Sequence, residues 1–209
     1  MDKKIIAIIL VAVGLLAVAA GAIFLINSGN EDRNTSNTTN NEGGNSINKD
    51  GKIIVVYFSA QNHTRNVASK IASNLSADIF EIVPEQIYTE ADLSWTDSDS
   101  RVSREHNDES LQDVALKSTS VPNWDEYETV FLGYPIWWGG SAWPMDSFVK
   151  KVDFGDKTVI PFCTSHSSGI GSSDTDLKAK AKGGNWQSGY RFSQDASDED
   201  IKAWTDKLN

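Results

Sequence analysis

Apolar and polar positions divide the chain into three regimes. Residues 5–26, IIAIILVAVGLLAVAAGAIFLI, are apolar or glycine throughout and carry no charge. At 1.5 Å rise per residue, a helix of that length spans a ~30 Å hydrocarbon core, so the pattern predicts a membrane anchor. A cleaved signal sequence has a shorter apolar core; Ala19, Ala20, Gly21 and Ala22 imitate a cleavage site, but Ile23 to Ile26 continue the run. Residues 27–50 are rich in Asn, Ser, Thr and Gly, with Ile47 the one aliphatic side chain. Such a segment cannot bury enough surface to offset backbone ordering, which predicts a flexible stalk.

From residue 51 onward, short apolar runs alternate with helical spacing. Residues 52–58, KIIVVYF, form a nearly continuous apolar run, as a strand covered on both faces requires. Val67, Ile71 and Leu75 then recur at helical spacing, predicting a helix over 64–75. Further strands are predicted at 77–83, 129–134, 157–163 and 186–192. Helices are predicted at 108–117, 144–151 and 172–181, and from Ser197, whose Asp200 makes a capping-box-like start. Strands separated by helices at these intervals predict an α/β layer with a parallel sheet of five strands. The expected organisation is a tip at 1–4, an anchor at 5–26, a stalk at 27–50 and one domain at 51–209.

Charge adds orientation and excludes partners. Lys3 and Lys4 precede the apolar run, which predicts a single pass through the cell membrane with a cytoplasmic N-terminus and the domain on the extracytoplasmic face. The formal net charge of -10 argues against nucleic acid as a partner. The sole cysteine, Cys163, cannot form an internal disulfide.

Three loops share the edge of the sheet at which its strands end, where ligands bind in such folds. After the first strand come Ser59, Ala60, Gln61, Asn62, His63 and Thr64, leading into a helix whose free N–H groups favour an anion. After the third come Pro135, Ile136, Trp137, Trp138 and Gly139, with Trp143 close by. So many tryptophans at a strand end are explained by a flat ligand held between them. After the fourth come Thr164, Ser165, His166, Gly169 and Gly171, a loop able to offer backbone and hydroxyl groups to a polar ring edge.

These segments resemble the flavodoxin-like family, in the group whose first loop reads Y-[FY]-S-x-T-G-N-T and whose second reads P-I-W-W-G. GYPIWWG and P-F-C-T-x-x-x-S-G-x-G are the specific matches, and the resemblance covers 52–208. It implies a flavodoxin-like three-layer sandwich with a five-stranded parallel sheet of order 2-1-3-4-5 and non-covalently bound FMN. By position, it implies that Ser59, Gln61, Asn62, His63 and Thr64 hold the phosphate. Pro135, Ile136, Trp137, Trp138 and Gly139 would line the ring, and Thr164, Ser165, His166, Gly169 and Gly171 would close its third side. Trp95, in the long polar stretch after the second strand, is a further candidate to reach over the ring. The first loop departs from the pattern: Asn62 stands where the family has glycine, and asparagine tolerates positive φ. His63 stands where the family has asparagine.

The expected function is extracytoplasmic electron transfer by a membrane-tethered FMN protein, with a protein or quinone as redox partner. An NAD(P)H-dependent quinone or small-molecule reductase is the alternative, as is a binding module without FMN. No dinucleotide fingerprint is present, and NAD(P)H is scarce outside cells, which favours electron transfer. A serine hydrolase lacks its G-x-S-x-G elbow. A metal site has only Cys163 and His166 as a pair, so no metal is expected.

Overall fold

The computed structural model describes residue 47 and residues 51–208, all within one compact unit, Asn41–Asn209. The expectation of a membrane-tethered protein with its domain outside the cell is corrected here. Among the described residues no helix is long and apolar enough to cross a membrane. The longest, at 13 residues, would reach only ~20 Å. The expected anchor at 5–26 lies outside the described residues, as does the tip at 1–4. Of the expected stalk at 27–50 only Ile47 is described, and it is buried, its N–H donating to the Leu208 carbonyl at 3.1 Å.

The strand-forming runs build the centre of the domain. β1 (Lys52–Tyr57) leads through a turn into α1 (His63–Leu75), followed by β2 (Asp78–Glu81). A long excursion carrying α2 (Arg101–Asn107) precedes β3 (Tyr127–Trp137), which turns back through the short β4 (Gly140–Ser141) into α3 (Trp143–Val149). β5 (Asp153–Ser165), α4 (Ser173–Lys180), β6 (Lys182–Trp186), β7 (Tyr190–Ser193) and α5 (Asp198–Asp206) complete the chain. The sheet order is β2-β1-β3-β5-β6, with β7 also paired to β5 and all these pairings parallel. The predicted order 2-1-3-4-5 is therefore present, its fifth strand divided into β6 and β7.

That division has a local cause. β6 pairs along β5 as far as Val159, and β7 resumes at Phe162. Pro161, which has no N–H to offer, falls at the interruption.

Alternation along the strands separates two cores and hence three layers. Ile54 and Val56 of β1, Val130 and Leu132 of β3, and Val159 of β5 face one side, where Met145 and Phe148 of α3 and Leu177 of α4 cover them. Val55, Phe131, Ile160 and Phe162 face the other, under Val67 and Ile71 of α1 and Ile201 and Trp204 of α5. Ser197 caps α5 as expected, its hydroxyl accepting from the Asp200 N–H at 3.1 Å. A Cβ on Gly133 would come within 2.2 Å of the Phe162 ring, so this glycine of the GYPIWWG segment serves core packing.

The excursion between β2 and β3 differs from expectation. The helix predicted over 108–117 forms earlier, as α2, and 112–117 runs without helix. Ser100 supplies the N-cap, accepting from the Ser103 N–H at 3.2 Å. The apolar spacing of Leu111, Val114 and Leu116 instead serves an extended path: Lys117 donates its N–H to Val83 and Glu85 donates to Ala115, both at 2.9 Å.

Candidate functional site

Sheet order creates the site. The chain leaves β1 for β2 on one side and reaches β3 on the other, so a crevice opens where the connections diverge. Tyr57 aligns with Gly133, and Pro135 with Thr164, bringing the three predicted loops side by side. Between them lies a cavity of about 410 Å³. Its walls include Ser59, Gln61, His63, Thr64, Trp95, Pro135, Ile136, Trp137, Trp138, Thr164, Ser165 and His166, twelve of the sixteen residues picked from sequence.

One end of the cavity is polar. Asn62 adopts φ 67°, the left-handed conformation that its place in the turn requires. Its side chain accepts from Arg65 instead of capping α1, and the first intrahelical bond runs from the Asn66 N–H to the Asn62 carbonyl at 2.9 Å. The amides ahead of Asn66 consequently have no intrahelical partner. Thr64 and Thr164, both buried, share a 2.8 Å hydroxyl hydrogen bond that joins the first loop to the third. The His63 Nδ1 lies 3.2 Å from the Gln194 carbonyl and 3.9 Å from the Asp195 carboxylate.

The other end is aromatic. Trp137 and Gly140 pair across the β3–β4 hairpin, leaving Trp138 and Gly139 as a two-residue turn with φ 46° and 83°. Positive φ at both positions is the type I′ geometry that suits hairpin twist, but a bulky residue there is uncommon. Trp138 is 44% exposed and stacks on His106 of α2, with ring centroids 4.3 Å apart and 11° from parallel. Trp137 meets Tyr88 edge-on at 5.2 Å and Phe58 at 5.7 Å. Trp95 stands 71% exposed at the cavity wall. Trp143, expected to share the ring site, is instead buried in a small core with Val102 and Val114.

A buried polar network stands behind Trp137. Glu105, 4% exposed, accepts from the Tyr88 hydroxyl at 2.7 Å and from Arg101 Nε at 2.6 Å. The Arg101 guanidinium also lies 3.9 Å from the Tyr88 ring centroid. Burial and the Glu105 carboxylate push the Tyr88 phenol far above its ordinary range, so it remains a hydrogen-bond donor. On the third loop, Arg191 of β7 donates to Ser165 Oγ at 3.0 Å and to the Ser165 and His166 carbonyls at 3.0 and 3.1 Å.

Asn62, Gly139, Gly169 and Gly171 are the predicted residues that do not line the cavity. Asn62, Gly139 and Gly171 supply positive φ, and a Cβ on Gly171 would meet the Gly139 carbonyl at 3.6 Å, where two loops approach. Ala60, Leu93, Val102 and Gln194 also line it and were not singled out from sequence. Leu93 and Val102 join Trp95 on the cavity wall only through the folding of the excursion. Neither Gln194 nor Arg191 sits in a motif.

Comparison with known proteins agrees with this geometry. The family model described as flavodoxin matches residues 52–208. A candidate flavoprotein from Bacteroides uniformis is 39% identical, covering 75% of this chain and 98% of its own, with a TM-score of 0.68. A second, from Bacteroides eggerthii, is also 39% identical, covering 75% and 97%, with a TM-score of 0.67. A flavoprotein from Lactobacillus acidophilus, solved in complex with FMN, is 18% identical over 74% of this chain and 99% of its own; its TM-score of 0.53 shows the fold. No curated protein sequence matched. The chain belongs to the flavodoxin family.

Proposed function

We propose that the cavity binds FMN without a covalent link and that the protein is an FMN-dependent redox protein. The carrying observation is that the cavity's two ends differ as the cofactor's ends differ. Uncapped helix amides and the hydroxyls of Ser59 and Thr64 suit a phosphate, while Trp137 and Trp138 suit a flat ring. The fold relative from Lactobacillus acidophilus, solved with FMN, supports the same assignment.

Bound there, FMN would supply the electron chemistry, accepting and releasing one or two electrons. The chain's own residues bind, orient and exclude water. Ser59, Gln61, His63 and Thr64 take the phosphate end, with Asn62 shaping the turn. Pro135 and Ile136 join the two tryptophans at the ring, and Thr164, Ser165 and His166 close the third side. The chain's net charge of -10 would disfavour added negative charge on a bound ring and so lower its potential.

Electron transfer to a redox partner is the leading activity. Direct reduction of a flat acceptor such as a quinone is a second reading, favoured by the exposed Trp95 at the cavity wall. Titration of the apo-protein with FMN tests the cofactor reading: quenching of flavin fluorescence to a one-to-one endpoint supports it, and unquenched flavin refutes it. Steady-state turnover with NAD(P)H and a quinone would favour the reductase.

A further inference from the structure

The proposed phosphate end has an unusual charge inventory. Among the described residues no lysine or arginine lines the cavity, so His63 and His166 are the wall side chains there that can carry positive charge. His63 opens α1, beside the uncapped amides, and its Nδ1 faces the Gln194 carbonyl at 3.2 Å. A carbonyl oxygen only accepts, so Nδ1 must carry the proton of that bond. In the neutral ring Nε2 is then a bare lone pair, and it has no hydrogen bond among the described residues. Toward a phosphate oxygen such a nitrogen is repulsive. It becomes a donor only when the ring gains a second proton.

Charged groups stand around the ring on more than one element. Asp195, on the connection between β7 and α5, lies 3.9 Å from Nδ1. On α1 itself, Arg65 is held by Asn62, Tyr57 and Glu81. Arg191 of β7 is committed to Ser165 and to the carbonyls of Ser165 and His166. The excursion contributes Leu93, Trp95 and Val102 to the cavity, and the β3–β4 turn contributes Trp138, none of them titrating near neutral pH. His166, from the third loop, is the other titratable group on the wall.

We propose that His63 recognises the phosphate of FMN as an imidazolium, so that FMN binding takes up a proton and riboflavin binding does not. This rests on the cavity being the flavin site. His63 is then a specificity-determining residue that converts the phosphate into a pH-dependent handle. Imidazole changes charge between about pH 5 and about pH 8, so the linkage operates around neutrality. The sign follows: rising pH strips the second proton from the free protein, and FMN affinity falls.

The test uses the full chain, freed of flavin and titrated calorimetrically with FMN and with riboflavin in two buffers of different ionisation enthalpy. FMN should bring an uptake approaching one proton near about pH 8, with Kd rising up to about tenfold per pH unit, while riboflavin shows neither. His63→Asn should abolish the uptake, flatten the pH dependence and bind FMN as well as wild type or better at high pH. Uptake that persists in His63→Asn overturns the proposal. Its loss in His166→Asn instead would assign the proton to His166. FMN binding with riboflavin-like pH behaviour overturns this inference alone, without needing any variant to fold. Failure of FMN to bind at any pH overturns the flavin reading and this inference together.

Discussion

The indole of Trp138 lies flat against the imidazole of His106, ring centroids 4.3 Å apart and planes 11° from parallel. The contact joins the β3–β4 turn to α2, two parts of the chain that meet only in the folded state. It holds an indole at the cavity in a backbone conformation, φ 46°, that bulky residues avoid.

Trp138→Gly therefore separates stability from binding. Relief of the positive φ gains about 1 kcal/mol, and loss of the stack costs about 1 kcal/mol, so the folding free energy of the apo-protein should stay within about 1 kcal/mol of wild type. FMN affinity should fall about tenfold, because the ring loses a wall. Denaturant unfolding and a flavin titration measure the two effects. A variant that loses stability but keeps its affinity would place Trp138 outside the site.

The first turn gives a second contrast. Asn62→Gly keeps the left-handed conformation at φ 67° available and should bind FMN with about wild-type affinity. Asn62→Val forces a β-branched residue into that conformation, at a cost of about 1–2 kcal/mol, and should weaken FMN about tenfold or more. Equal affinity of the valine and glycine variants would mean that this turn does not hold the phosphate.

Behind Trp137, the Glu105 carboxylate holds both Tyr88 and Arg101. Glu105→Ala leaves the buried Tyr88 phenol without its acceptor and the partly buried Arg101 guanidinium with only the Gln86 carbonyl, and should destabilise the apo-protein by about 2 kcal/mol. Freed of that support, Tyr88 should no longer fix Trp137, and tryptophan fluorescence should shift toward the exposed-indole spectrum. An unchanged urea midpoint would show that the network adds nothing.

Alkaline pH should weaken the fold through Tyr127. Burial, together with a 2.7 Å hydrogen bond to Asp78, pushes its phenol up to about 12. The unfolded chain releases that proton near about pH 10, whereas the folded protein retains it, so stability is complete below that pH and is lost as pH rises toward 12. Tyr127→Phe should cost about 1 kcal/mol at neutral pH, through the lost hydrogen bond, and should reduce the alkaline loss. Urea midpoints compared at neutral and alkaline pH read both effects.

Much of the fold was legible because its signals are local. The run at 52–58 and the helical spacing of Val67, Ile71 and Leu75 sit where β1 and α1 form. The strand-end loops were legible as a site because a parallel sheet places them on one edge. What stayed hidden depends on distant contacts. Helical spacing at 108–117 was overridden by main-chain pairing to Val83 and Glu85, and Trp143 was drawn into a core with Val102 and Val114. Arg191 and Gln194 reach the third loop and His63 only through the pairing of β7 with β5. The apolar run at 5–26, read as a span from hydropathy alone, lies outside the described residues, among which no helix is long and apolar enough to cross a membrane.

Purifying the full chain and identifying what it carries tests the central claim most directly. Acid precipitation should release a yellow chromophore that co-migrates with FMN, and the stripped protein should regain one FMN per chain. A protein that arrives colourless and takes up no added FMN would contradict the account.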